Sequence, residues 1–248
     1  MADIIVPAIQ QAIHLIVTGN QFVYSVVVRS LYTSAVGTLL SCVWSIPIAV
    51  ILGLYNFRGK WVIKGIFNGL IGVPTVALGL LLYLLLSKQG EFGSTHLLYT
   101  LNGIAIGQAI LVTPIIVSFA SSALSTSDIQ LRDLSKTLGA SGLRTNLTLI
   151  RESLWSIVLA ITASFNRAFG ELGIATIVGG NFVGETQVLT TVIGVQINFG
   201  NFSLAMAYAI ILVAIVVVIA LIIALIERVR NEDRPLTKLF LWRGLGGS

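Results

Sequence analysis

Arg167 and Glu171 stand four residues apart in SFNRAFGELGIATIVGGNFVGETQVLTTVI, near the middle of a segment, about Leu154 to Val178, that otherwise reads as an apolar helix. Ionisable groups inside a membrane-spanning helix are costly, so they face a partner or a water-filled cavity. At this spacing the two share a helix face and can pair, although Arg preceding Glu is the less favoured order. Three roles are open: a buried structural pair, a place along a translocation path, and a contact across a seam between two copies. Around the outer end of the same span, Thr176, Asn181, Thr186, Thr190 and Thr191 offer hydroxyl and amide groups, beside glycines that let backbone approach closely. The plainer role for these is a loop that caps the helix.

Other chemistry is thinly supplied. The one cysteine, Cys42, lies in an apolar run and reads as a small buried residue, with no disulfide partner. His14 and His96 fall near expected surfaces, and no Ser, His, Asp constellation or metal-ligand set gathers in the apolar segments, so neither an enzyme nor a metal centre is expected. No cofactor is implied. A phosphate loop requires G-x-x-x-x-G-K-[ST], whereas GLYNFRGKW has one residue too many between its glycines and a Trp after the lysine. The chain is not expected to bind ATP itself.

The elements that must position these residues follow from composition. The 248 residues are 56% hydrophobic and 10% charged, against roughly 25% charged in a soluble domain. A chain so composed cannot build a water-facing surface and reads as a membrane protein. Crossing a hydrocarbon layer of about 30 Å takes about 20 apolar residues in a helix. Backbone groups in lipid must bond internally, and the runs lack the in-out alternation of a barrel, so the spans are helices. Five are expected, at about Tyr32–Leu54, Ile66–Leu86, Leu101–Ser122, Leu154–Val178 and Phe202–Ile226. Pro47, Pro74 and Pro114 fall one in each of the first three, where each removes a backbone donor and can kink its helix. GIFNG (65–69) and GIAIG (103–107) permit close helix approach. In IIVPAIQQAIHLIV, Ile5, Ile9, Ile13 and Ile16 recur at helical spacing, but Gln10, Gln11 and His14 interrupt a run already short for spanning. It reads as an amphipathic helix on the outer surface.

A net charge of +5 would suggest nucleic acid in a soluble protein, but here the basic residues sit in short loops between spans, and no nucleic-acid partner is expected. Placing the loop with Arg58, Lys60 and Lys64, the 123–153 segment and the C-terminus on one side gathers twelve of the fifteen lysines and arginines there. Arg29 and Lys88 fall opposite, and Arg167 within a span. The excess of basic residues marks the cytoplasmic side. The C-terminus is then cytoplasmic and, with five crossings, the N-terminus outside; the alternative, a sixth crossing by the N-terminal segment, would reverse only the position of the N-terminus.

The stretch RDLSKTLGASGLRTNLTLIRES, 132–153, is a polar island with glycine punctuation. It suits short helix, turn, short helix. A structured loop of this kind on a membrane domain most often receives another protein. DLSKTLGAS resembles the EAA-type loop of permeases of ATP-binding cassette (ABC) importers, whose pattern is Glu, Ala, Ala, two variable residues, then Leu, Gly, Ala, Ser. Asp133 takes the Glu position, and Leu138, Gly139, Ala140 and Ser141 match fully. Leu134 and Ser135 depart from the Ala-Ala pair, and Arg151 and Glu152 stand where many members carry Leu-Pro. The resemblance implies a coupling helix that docks in a cleft of a separate ATPase, with Asp133, Leu138, Gly139, Ala140, Ser141 and Arg144 on the ATPase-coupling surface.

RAFGELG, followed by GGN and TQVLTT, resembles the permeases of sulfate, molybdate and tungstate importers. LIRES after the coupling loop and GNFVGETQVLTTVI lean it toward the tungstate branch. The family implies an all-α membrane protein of the type I ABC importer permease kind, with five transmembrane helices, an N-terminal amphipathic helix and a cytoplasmic coupling helix. Residues 1–230 would form one transmembrane permease domain, with the coupling loop at 123–153, and residues 231–248 a cytoplasmic tail. It also implies two copies of the chain, two cytoplasmic ATPase subunits and an external oxyanion-binding protein, all at the cell membrane. A tetrahedral dianion in transit should not meet a strong permanent cation that would trap it, and Thr176, Asn181, Thr186, Thr190 and Thr191 supply neutral donors. A permease for another solute, such as sulfate or an amino acid, is the second reading. A self-sufficient carrier or channel is the third, opposed by the lack of an inverted repeat and of an intramembrane carboxylate chain.

Overall fold

The computed structural model describes residues 2–126 and 141–232. The expected coupling residues Asp133, Leu138, Gly139 and Ala140 lie outside them, as does the tail beyond 232. The described residues are helical, without strands. In chain order the helices are α1 (Ala2–Val17), α2 (Gln21–Leu54), α3 (Lys60–Leu70), α4 (Thr75–Leu86), α5 (Leu101–Thr126), α6 (Gly142–Phe169), α7 (Gly173–Ile177), α8 (Leu189–Asn198) and α9 (Phe202–Glu232). Four of them, α2, α5, α6 and residues 202–226 of α9, are long and apolar enough to cross a membrane, and the bent pair α3–α4 passes the same test only when its two helices are counted as one broken span.

Three expected boundaries need correction. The first span begins at Gln21 rather than near Tyr32, because the Asn20 side chain caps it by accepting from the amides of Phe22 and Val23 at 3.1 and 3.2 Å. Arg29 therefore lies inside a helix, not in a loop before one. The second span is not one helix: α3 and α4 meet at 97°, with Pro74 at the N-cap of α4. Proline lacks the amide that a continuous helix needs there. The twelve residues of α4 reach about 18 Å, too short to cross a hydrocarbon layer of about 30 Å alone. Pro47 and Pro114, by contrast, sit inside continuous helices. The fourth span runs through α6 and stops at Phe169, well short of Val178.

Hydrogen bonds give the helix directions. Tyr32 Oη donates to Asn102 Oδ1 at 2.9 Å, Ser41 Oγ lies 3.0 Å from Thr113 Oγ1, and Ser125 Oγ reaches Gly53 O at 3.5 Å. The sequence offset stays near seventy, so α2 and α5 run parallel. Gln108 Nε2 donates to Ala168 O at 3.0 Å, while Leu124 and Ala120 cluster with Leu149 and Ile157, so α6 runs antiparallel to α5. The ends of α2 and α5 and the start of α6 thus share one end of the bundle, with Arg58, Lys60, Lys64 and Arg144; this is the basic end. Asn20, Leu101 and residues 178–188 lie at the opposite end.

Small residues line α2: Ser30, Ser34, Gly37, Ser41 and Ser45 recur at helical spacing and all are buried, with Gly37 and Ser41 against α5. Helix association in lipid relies on such close contact, because burying apolar area gains little there. A Cβ at Gly37 would stand 2.8 Å from Ala105 O. The two glycine pairs behave differently. A Cβ at Gly107 would meet Ile174 at 2.5 Å, whereas Gly65 and Gly69 face open space in this chain. Cys42 packs half-buried against Val112, Ile116 and Ala168, in keeping with a small core residue.

On α1, Ala8 and Ala12 are buried, while Ile5, Ile9, Ile13 and Ile16 form an exposed apolar face. The described residues up to Leu212 form one compact unit. A second begins at Val213 and carries the rest of α9, whose Val213, Val217, Leu221 and Leu225 are exposed.

Candidate functional site

The Arg167–Glu171 pair forms, but across a helix end rather than within a helix. α6 stops at Phe169, where the Gly170 amide returns to Asn166 O at 3.2 Å, and two residues later α7 begins. Arg167 Nη1 donates to Glu171 Oε2 at 2.8 Å. Glu171 Oε1 accepts from the Ile174 amide at 3.2 Å, so the carboxylate caps α7. The break accounts for the unfavoured order. Arg167 lies in the last turn of α6 and Glu171 before the first turn of α7, so each charge complements the dipole of its own helix end.

The pair is asymmetric: Glu171 is 2% exposed and the Arg167 side chain 39%. Its depth is set by Gln108, which bonds Ala168 O and lies seven residues into α5, about 10 Å from that helix's start at 1.5 Å per residue. The pair therefore sits in the half of the bundle nearer the end opposite the basic one, not at its middle.

The hydroxyls expected near the pair knit the following segment together. Thr190 Oγ1 donates to Glu171 O at 2.7 Å, joining the first turn of α8 to the helix break. Thr176 donates to Leu172 O inside α7. Thr186 Oγ1 accepts from the Phe182 amide at 2.9 Å, and Thr191 Oγ1 from the Val188 amide at 3.0 Å. Asn181 occupies the left-handed region at φ 55°, which Asn tolerates, and its Oδ1 is buried without a hydrogen-bond partner. The structure brings Arg167, Glu171 and Thr190 together directly, and places Asn181 and Thr186 in the loop that follows. That loop is packed through Phe182, edge-on to Tyr99 with ring centroids 5.5 Å apart. The hydrogen bond that Tyr99 donates to Tyr83, then burial, holds the Tyr99 phenol above the usual tyrosine range. At the basic end, Ser141 is the N-cap of α6 and Arg144 is exposed in its first turn.

Three residues of this region were not anticipated. Gln108 satisfies a carbonyl at the α6 terminus, and a lone amide in the run IAIGQAILV was its signal. Arg29 donates from Nε to Gln187 O at 2.9 Å and from Nη1 to Gly184 O at 2.8 Å, and Ser30 Oγ accepts from the Leu189 amide at 2.8 Å. These two side chains pin residues 184–189 to α2. The signal for Arg29 was its isolation, as the sole Asp, Glu, Lys or Arg between Asp3 and Arg58.

The described fold has known counterparts. A chain of the MetNI methionine ABC transporter, solved in inward-facing conformations, superposes with a TM-score of 0.66 over 84% of this chain and 96% of that one, at 17% identity. That likeness shows the fold, which is that of a type I ABC importer permease. The profile of the family described as "Binding-protein-dependent transport system inner membrane component" matches residues 45–231. This chain belongs to that family. Among members of the binding-protein-dependent permease family, it is similar to the tungstate uptake system permease protein TupB of Peptoclostridium acidaminophilum, at 32% identity over 86% of this chain and 93% of that one. It is also similar to a probable anion ABC transporter permease of Haloferax volcanii, at 34% identity over 78% of this chain and 86% of that one. Permeases named for molybdenum and for sulfate transport match at lower identity or over less of the chain. The chain is a multi-pass membrane permease subunit of an ABC importer.

Proposed function

We propose that this permease carries a tetrahedral oxyanion of the tungstate class, as a pair of identical copies driven by two separate ATPase subunits and supplied by an external binding protein. The observation that carries the reading is the likeness to tungstate and anion permeases along nearly the whole chain, through the segment that holds Arg167, Glu171 and Thr190. Residues 1–230 act as one transmembrane domain, and 231–248 as a cytoplasmic tail. The basic end faces the cytoplasm, as expected for short loops rich in Lys and Arg. Asp133, Leu138, Gly139, Ala140, Ser141 and Arg144 form the ATPase-coupling surface at that end. The opposite end, with Asn181, Thr186 and the N-terminus, faces outward.

Arg167 gives the reading a physical handle. A guanidinium has five N–H donors, and the Glu171 contact uses one. With 39% of the side chain outside the protomer, exposure to lipid would be costly, so it faces the water-filled route or the second copy. Glu171 anchors it from behind, and the threonines supply neutral donors nearby. The expected result is tungstate uptake by the reconstituted complex with its binding protein, inhibited by excess molybdate more strongly than by excess sulfate. Uptake of an amino acid in place of any oxyanion would overturn the substrate assignment.

A further inference from the structure

Arg29 stands apart from the pair discussed above. Its recorded partners are neutral: the carbonyls of Gln187 and Gly184, and Ser25 Oγ at 3.2 Å from Nη2. Those bonds use three of the five guanidinium donors. Arg29 also lines a shallow, wide-open cavity of about 410 Å³ with Val28, Tyr32, Thr100, Leu101 and Asn102. Across it, the Asn102 amide oxygen accepts from Tyr32 Oη at 2.9 Å, and the carboxamide NH2 can donate. The cavity thus joins a cation whose partners among the described residues are neutral to a carboxamide that supplies further donors, a combination that suits an anion.

We propose that this cavity is the entry site for the oxyanion and that Arg29 is an exchangeable latch. The inference rests on the oxyanion-importer reading and on this end facing outward. Anionic oxygens accept hydrogen bonds from guanidinium about twice as strongly as neutral ones. An arriving dianion therefore competes with Gly184 O and Gln187 O for the Arg29 donors and loosens residues 184–187 from α2, leaving the Ser30 bond to the Leu189 amide in place. Because the carbonyls reclaim the donors, the anion is held reversibly and is not trapped. Arg29 then serves as a mouth contact outside the neutral donors of the route.

The test uses the full complex in sealed vesicles, with Val28→Cys, at an exposed lining position that supplies no donor, in a Cys42→Ser background and a membrane-impermeant thiol reagent added outside. Tungstate is expected to slow modification of the introduced thiol. Arg29→Gln should raise the half-protecting tungstate concentration about tenfold or more, the usual scale for losing a charged hydrogen bond. Arg29→Lys should fall between. No slowing at tungstate concentrations that saturate uptake, or equal protection in Arg29→Gln, would overturn the proposal and leave Arg29 a structural clamp. The same cavity chemistry would suit a lipid phosphate. Protection by phosphatidylglycerol vesicles without tungstate, absent from purely zwitterionic ones, would reassign the site to a headgroup and likewise overturn it. Should Arg29→Gln fail to assemble, the protection measured with Arg29 intact and the Arg29→Lys series decide. A wild-type complex that moves no oxyanion would instead refute the importer reading beneath it.

Discussion

Arg167→Met is expected to remove more assembled complex than Glu171→Gln, although both break the same ion pair. Without Arg167 the Glu171 carboxylate remains buried, at 2% exposure, with the Ile174 amide as its one recorded side-chain donor. Stranding a buried charge costs about 3 to 5 kcal/mol. Without the Glu171 charge, an amide at that position still accepts from Ile174, and Arg167 remains partly exposed and favourably placed at the α6 terminus. That change should cost about 1 to 2 kcal/mol, the scale of one lost hydrogen bond. The double substitution removes the stranded carboxylate and should recover part of the loss, so the two effects are less than additive. Size-exclusion of the detergent-solubilised complex and its thermal midpoint give the comparison. Equal and additive losses would show that the pair is not a coupled unit. Uptake per assembled complex adds the functional side: if Arg167 faces the route, the double variant stays impaired even where assembly has recovered.

Gly37→Val should be the most damaging substitution on the helix seam. A Cβ there would lie 2.8 Å from Ala105 O and 3.1 Å from Gln108 Cβ, and the first of these is backbone that cannot swing aside. Valine brings two further methyls, so α2 and α5 must separate. Overpacking commonly costs about 1 to 3 kcal/mol, and here the displacement also disturbs the Gln108 bond to Ala168 O, which supports the α6 terminus. Gly65→Ala is the matched control, because nothing lies within 4 Å of its added Cβ and it sits inside α3. It should be neutral or stabilising by up to about 1 kcal/mol. Thermal unfolding of the two purified variants separates them, and a Gly37→Val complex as stable as wild type would refute close α2–α5 packing as the organising contact.

Much of this architecture was readable from apolar runs. The limits of α5 fell within a few residues of expectation, and the apolar part of α9, 202–226, fell on it, because their flanks change abruptly from polar to apolar. α2 was cut short at its start because Arg29 looked like a loop charge; bonds to two carbonyls and a hydroxyl let it stay inside a helix. Pro74 marked the kink between α3 and α4, but no local signal set its angle near 97°, which depends on packing against α5 and α7.

The Arg167–Glu171 pair was legible as a pair, while its setting was not. The apolar count carried the fourth span through to Val178, and the helix break was hidden in it. Two signals pointed to that break: glycines on either side of Glu171, at 170 and 173, and the order of the charges, which suits two helix ends better than one helix. The threonines lie toward the end of the bundle opposite the basic one, and which backbone groups they bond depends on the turns at Gly180, Asn181 and Gly184, all at positive φ.

We propose that this chain supplies a route for an oxyanion and takes its driving force from partners. The most direct measurement is tungstate accumulation in sealed vesicles holding the purified complex of permease and ATPase, with ATP on the ATPase side and the binding protein on the other. Accumulation above the external concentration is expected, and it should stop when either ATP or the binding protein is left out. Equal tungstate flux through vesicles holding this chain alone, without ATP or partners, would contradict it.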